Sequence, residues 1–174
     1  MLGLHNDDVV RNFFGVDLSP ADIARHSAEK EALYRELIGP RLEEFLVPGI
    51  REFLASMGGI PMAVASNAEA ANVDFVLERS GLRPYFPIVV DGYQVARPKP
   101  QPDIYLKTAE LLNVSPLDCL VFEDSGVGVR AACAAGCSVI GVSTSTSDLS
   151  GVAYIVRDFT DRRLQGLARI RMEG

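Results

Sequence analysis

Two adjacent carboxylates, Glu123 and Asp124, follow the apolar run Leu120-Val121-Phe122 and precede Ser125-Gly126-Val127-Gly128-Val129-Arg130. A run of that length reads as a buried strand, and the glycines lead into an alanine-rich segment with helical character. Like charges so close together repel strongly where solvent is excluded, and a cation is the usual resolution. The pair therefore points to a divalent metal at the carboxyl edge of a parallel sheet.

Two further segments carry candidate chemistry. Ser66-Asn67 stands at the end of an apolar run and before a helical one. There a hydroxyl and the free N–H groups of a helix N-terminus together make an anion site. The plain alternative is a helix cap. In Arg97-Pro98-Lys99-Pro100-Gln101-Pro102-Asp103, alternating prolines restrict the backbone and fix where Lys99 points. A lysine on a stiffened loop suits a fixed charge that meets a phosphate; the alternative is a rigid surface loop with a solvated lysine. Asp103 belongs to the first turn of the following helix, where its charge is favoured.

Gly126, Gly128 and Ala131 also match the G-x-G-x-x-G/A dinucleotide fingerprint after a strand. The acidic pair speaks against that reading, because it would face the pyrophosphate directly. The strand after the helix also ends in Ser143-Thr144-Ser145 where a ribose-binding acid is expected. Oxygen ligands beside a phosphate site favour Mg²⁺, which takes one or two carboxylates plus phosphate and water.

The elements that must position these residues alternate. Apolar runs at Ile60–Ser66, Phe86–Val90, Leu120–Glu123, Cys137–Val142 and Ala153–Val156 read as strands. Helical segments are expected at Asn67–Ser80 with Val73, Val76 and Leu77 inward, at Pro102–Asn113 with Ile104, Leu111 and Leu112 on its face, at Gly128–Ala135 and at Leu164–Ile170. This alternation means an α/β fold, a Rossmann-like parallel sheet covered by helices on both faces. In open sheets of this kind ligands bind beyond the carboxyl ends of the strands, here Ser66, Asp91, Glu123-Asp124 and Ser143.

Residues 1–47 read differently, as a helical unit without strand-like alternation. Ser19-Pro20-Ala21-Asp22 is a helix start, with Ser19 as cap and Pro20 in the first turn. The helix carries Ile23, Ala24, Ala28, Leu33 and Leu37 until Gly39-Pro40. Val47-Pro48-Gly49-Ile50 then reads as the entry to a second unit, residues 48–174, beginning with a short helix that Gly58-Gly59 ends.

Composition narrows the classes. A chain of 174 residues, 48% hydrophobic and 23% charged, is long enough for a sizeable core. No apolar run approaches the ~20 residues of a membrane span, and Asn6-Asp7-Asp8 is unlike a signal peptide. A cytoplasmic location is expected. A net charge of −6 without a basic cluster speaks against nucleic acid, while a small phosphorylated ligand needs only one or two pocket cations. The three cysteines, Cys119, Cys133 and Cys137, lack zinc spacing and are expected as reduced, mostly buried thiols. His5 and His26 show no ligand pattern.

In combination, Ser66 at a strand end, Lys99-Pro100 followed by Pro102-Asp103-Ile104-Tyr105, and FEDSGVGVRAACAAG at 122–136 resemble the haloacid dehalogenase superfamily. The likeness is to its β-phosphoglucomutase-like and phosphoglycolate phosphatase-like branch, and it covers nearly the whole chain. It implies that residues 1–47 are the latter part of a helical cap and 48–174 the core. By the same resemblance Ser66 and the backbone near Asn67 bind a transferring phosphoryl group and Lys99 neutralises charge between nucleophile and phosphate. Asp124, with Glu123, anchors Mg²⁺ directly or through water. The implied activity is Mg²⁺-dependent phosphohydrolysis or sugar-phosphate mutation through an aspartyl-phosphate.

One part of that resemblance is missing. The family's nucleophile lies in a D-x-D motif on a first core strand, and these residues contain no D-x-D: Asp7 and Asp8 are adjacent, and Asp158 and Asp161 are three apart. That strand would sit between the strands ending at Ser66 and Glu123, so its absence leaves two central edges unpaired and open to self-association. One of three outcomes is expected, the first ahead of the others: an N-terminally truncated, inactive chain, direct closure of the two strands on each other, or a partner segment in the gap. The competing classes are a non-catalytic module that binds a phosphometabolite or a protein, and a dinucleotide-binding protein.

Overall fold

The computed structural model describes residues 6–15, 17–144 and 148–173. His5 and Ser145 to Ser147 lie outside them. The chain opens with helices α1 (Asn6–Phe14), α2 (Pro20–Ile38), α3 (Leu42–Phe45) and α4 (Ile50–Ser56). The start of α2 is capped as its sequence predicts: Ser19 Oγ accepts from the Asp22 N–H at 3.2 Å, with Pro20 in the first turn. It ends at Ile38, after which Gly39–Arg41 form a 3₁₀ turn.

The remainder alternates β1 (Ala63–Ser66), α5 (Ala70–Arg79), β2 (Ile88–Asp91), α6 (Asp103–Leu112), β3 (Leu120–Glu123), α7 (Gly126–Ala135), β4 (Ser138–Val142) and β5 (Tyr154–Val156). All pairing is parallel. β1 aligns with β2 from Ala63 opposite Ile88 to Ser66 opposite Asp91. β3 aligns with β4 from Leu120 opposite Ser138, and β4 with β5 from Ile140 opposite Tyr154.

The strands form two half-sheets, β1-β2 and β3-β4-β5, and β1 does not pair with β3. Direct closure of these two strands on each other, one of the expected outcomes, does not occur. Helices hold the halves in place. On one face, Ile104, Tyr105 and Ala109 of α6 and Val129, Ala131 and Ala132 of α7 are buried together with Val90 and Val139, with Ala65 and Val121 packed against them. On the other, Phe53 of α4 meets Phe122 and Phe159, with ring centroids 5.3 and 4.9 Å away, beside buried Ile140 and Leu164. Neighbouring residues of one strand thus face opposite layers, as the two-residue period requires.

Several boundaries differ from expectation. Ile60, Pro61 and Met62 precede β1, because pairing starts only where Ala63 meets Ile88. Leu111 is half exposed, since the buried stripe of α6 runs through Ile104, Tyr105, Thr108 and Ala109. Leu33 and Leu37 of α2 are likewise exposed. The terminal segment Arg162–Glu173 is 3₁₀ in place of the expected helix at Leu164–Ile170. Only Cys137 is buried; Cys119 is half-buried and Cys133 exposed. Among the described residues no helix is long and apolar enough to cross a membrane.

Candidate functional site

The unpaired edges of β1 and β3 face a cavity of about 610 Å³. Ser66, Asn67, Lys99, Glu123 and Asp124 all line it, together with Lys30, Glu31 and Tyr34 of α2. The other two strand ends singled out in the sequence, Asp91 and Ser143, are not on its wall. Asp91 is buried and turns back on its own chain, accepting from the Tyr93 N–H at 2.8 Å and from Gln94 Nε2 at 2.9 Å. Ser143 hydrogen-bonds the Val156 carbonyl.

Lys99 is almost fully buried, at 8% exposure. Its loop is clamped by Asn67, whose Oδ1 accepts from the Lys99 N–H at 3.2 Å and whose Nδ2 donates to the Lys99 carbonyl at 3.3 Å. The Asn67 side chain therefore serves the lysine loop. The Lys99 Nζ donates to the Ala65 carbonyl on β1 at 3.0 Å and to Glu123 Oε1 at the end of β3. One ammonium thus spans the gap between the two half-sheets at their carboxyl ends.

Ser66 closes β1. Its Oγ accepts from the Ala68 N–H at 3.0 Å, a bond that leaves the hydroxyl proton unused. The cap position of α5 falls later, on Glu69, whose side chain does not cap. Ser66 is therefore not a helix cap.

Glu123 gathers several partners. Beyond Lys99 it accepts from the Tyr105 hydroxyl at 2.5 Å, from the Asp124 and Ser125 N–H groups at 3.2 Å each, and from Ser125 Oγ at 2.9 Å. Burial by itself raises a carboxyl pKa, yet the charge of Lys99 and the hydrogen bonds from Lys99, Tyr105 and Ser125 outweigh it and hold Glu123 below its ordinary range. The same burial and the neighbouring carboxylate push the Tyr105 hydroxyl far up, so it stays a donor.

The glycines of the 126–128 stretch make room for this arrangement. A Cβ on Gly128 would lie 2.0 Å from the Glu123 carboxyl carbon, and one on Gly126 would lie 2.6 Å from the Asp148 carbonyl oxygen. Ser125 caps α7 by accepting from the Gly128 N–H at 3.1 Å. The position over the N-terminus of α7, where a dinucleotide would need its pyrophosphate, holds the Glu123 carboxylate.

Asp124 differs from its neighbour. It is exposed at the cavity, and its Oδ2 accepts from Thr144 Oγ1 at 3.0 Å. Among the described residues no three His, Cys, Asp or Glu side chains gather as a ready-made metal cage. Mg²⁺ does not demand one: it keeps water and rests on one or two carboxylates plus phosphate. Asp124 fits that requirement, whereas the lone pairs of Glu123 are already engaged.

Sequence reasoning located the five cavity residues but assigned nothing to Tyr105, Ser125, Thr144 or the α2 contact. Glu31 is buried and accepts from Asn72 Nδ2, while Arg35 donates to Asn72 Oδ1 at 2.5 Å, tying α2 to α5 beside the cavity. Tyr105 had one legible signal, since a tyrosine on a buried helix stripe needs a partner for its hydroxyl.

Comparison with known proteins agrees with this geometry. Residues 4–136 match the model of the haloacid dehalogenase-like hydrolases. Over 146 residues the chain is 32% identical to β-phosphoglucomutase of Bacillus subtilis, covering 80% of this chain and 64% of that protein. Over 129 residues it is 35% identical to fructose-1-phosphate phosphatase YqaB of Escherichia coli, covering 73% and 68%. The crystal structure of CbbY from Rhodobacter sphaeroides in complex with phosphate superposes with a TM-score of 0.73 at 27% identity, covering 90% of this chain and 74% of that one. The parallel half-sheets, the buried lysine between them and these likenesses agree, and the chain belongs to the haloacid dehalogenase-like hydrolases.

Proposed function

We propose that the cavity between β1 and β3 is the phosphate- and magnesium-binding side of a phosphohydrolase or sugar-phosphate mutase acting on a small phosphorylated sugar. One observation carries the reading: a hydroxyl, an ammonium and an exposed carboxylate, those of Ser66, Lys99 and Asp124, meet at the carboxyl ends of two parallel strands. An anion entering there meets the Lys99 charge in a largely desolvated setting, where such fixed charges act most strongly. Ser66 can donate its hydroxyl proton to a phosphoryl oxygen. Asp124 would hold Mg²⁺, which supplies neutralisation of phosphate charge when bound. The likeness to a phosphatase and a mutase, both named for sugar phosphates, supports the substrate class.

The division into a helical cap at 1–47 and a core at 48–174 belongs to the same proposal, since α2 lends Lys30, Glu31 and Tyr34 to the cavity wall. So does the missing nucleophile. These 174 residues contain no D-x-D, and the slot between the free edges of β1 and β3 is where a strand carrying one would pair. This chain by itself therefore binds phosphate and does not turn it over. A module that only binds a phosphometabolite shares every contact named here and differs solely in needing no such strand. For the dinucleotide reading, the occupied N-terminus of α7 offers no support.

The test is calorimetry of inorganic phosphate with magnesium chloride, together with hydrolysis of p-nitrophenyl phosphate. Expected are magnesium-dependent binding that Lys99→Ala abolishes and no turnover. Hydrolysis by the 174-residue chain that is lost in Lys99→Ala or Asp124→Ala would overturn the reading. Adding an in-frame upstream segment that contains D-x-D separates the two classes: restored turnover identifies the enzyme, and its absence the binding module.

A further inference from the structure

Lys99 is a long, flexible side chain that must leave one N–H for a ligand while two are in use. Holding such a chain in one geometry costs rotamer entropy. Its two oxygen partners among the described residues, the Ala65 carbonyl and Glu123 Oε1, lie on opposite half-sheets. Neither strand pairs with the other, so the ammonium cannot rely on a continuous sheet to fix their separation.

Tyr105 supplies what the sheet does not. It lies on α6, which packs against β1, β2 and α7, and is 6% exposed. Its hydroxyl donates to the same Glu123 Oε1 that receives the lysine. Its ring also lies beneath the ammonium, with Nζ 4.9 Å from the ring centroid. Such a cation over a desolvated aromatic face is attracted by the ring quadrupole. One side chain thus touches both members of the ion pair.

We infer that Tyr105 is a positioning residue for Lys99, holding the ammonium between the half-sheets through its ring and the Glu123 carboxylate through its hydroxyl. A tyrosine that merely filled the core would need the ring alone. The inference deepens the phosphate-binding reading, and rests on it only for the affinity part of its test.

The chain contains only three lysines, Lys30, Lys99 and Lys107, which makes their ammonium groups separately observable. In protein labelled with ¹⁵N-lysine, a buried, hydrogen-bonded ammonium exchanges slowly with water. The expected spectrum has one persistent signal, which disappears in Lys99→Arg. Tyr105→Phe keeps the ring and the packing and removes only the hydroxyl. It is expected to speed ammonium exchange about tenfold and to weaken inorganic phosphate binding several-fold, the scale of one hydrogen bond to a charged group. Exchange and affinity both within about twofold of wild type, at an unchanged melting temperature, would overturn the inference. Should Tyr105→Phe fail to fold, Tyr105→Leu, which removes ring and hydroxyl together, replaces it: faster ammonium exchange supports the inference, and exchange within about twofold of wild type overturns it. If wild-type protein binds no phosphate, the functional reading fails, while the ammonium exchange still decides the role of Tyr105.

Discussion

Lys99 and Glu123 form a buried ion pair that joins two half-sheets whose strands do not pair with each other. The lysine comes from the loop after β2 and the glutamate from the end of β3, and their side chains are 6% and 7% exposed. The same ammonium also holds the Ala65 carbonyl on β1. A charge placed so deeply survives only with its partners in place, and that dependence can be measured.

Removing one member should cost far more than removing both. Glu123→Met leaves the Lys99 ammonium buried without its counter-charge and is expected to destabilise the fold by about 3–5 kcal/mol. The double variant Lys99→Met, Glu123→Met removes both charges and should recover a large part of that loss. Urea unfolding of the two single variants and the double gives the coupling directly. Additive losses would show that the pair is not coupled.

Acid should weaken the fold through Glu123. Its carboxyl is held below an ordinary value near 4.5: burial opposes this, and Lys99, Tyr105 and Ser125 overcome it. The unfolded chain therefore binds the proton more readily than the folded one, so stability rises with pH. The Glu123 contribution is fully present above about pH 4.5 and is lost as pH falls through the lower folded value. Urea midpoints measured from neutral pH downward should decline in that window, and more gently in Glu123→Gln. Parallel declines would assign the acid sensitivity to other carboxyls.

Gly128 should tolerate no side chain. An alanine Cβ would stand 2.0 Å from the Glu123 carboxyl carbon, on a helix buried against the core. In an exposed helix glycine to alanine stabilises; here overpacking should reverse the sign and cost about 1–3 kcal/mol. It should also displace Glu123 and so weaken phosphate binding. A raised melting temperature for Gly128→Ala would contradict the packing described.

The three thiols should react in order of exposure. Cys133 is exposed, while burial, reinforced by nearby Cys119, pushes the Cys137 thiol up to about 11. Iodoacetamide at pH 8 should label Cys133 first and leave Cys137 unmodified until the chain unfolds, because the thiolate is the reactive form. Peptide mass spectrometry after timed quenching reads the order. Early labelling of Cys137 in folded protein would contradict its burial.

Which parts of this were legible beforehand follows from the range of the interactions. Leu120–Glu123 was readable as a strand to the residue, because an apolar run ending in charges and glycines is a local signal. The Ser19 cap was readable for the same reason. The stripe of α6 was not: Ile104, Tyr105 and Ala109 are buried while Leu111 is half exposed, and that choice depends on where β1, β2 and α7 stand.

For the site, the sequence by itself determined the chemistry on offer, a hydroxyl, a lysine and two carboxylates at strand ends, and the absence of D-x-D. Only the tertiary structure decided how the carboxylates divide their work. Adjacent residues at the end of a strand point to opposite sides, so Glu123 turns inward to Lys99, Tyr105 and Ser125 while Asp124 stays open to the cavity. No local pattern carries that distinction, because Lys99 and Tyr105 reach Glu123 across 24 and 18 residues of sequence.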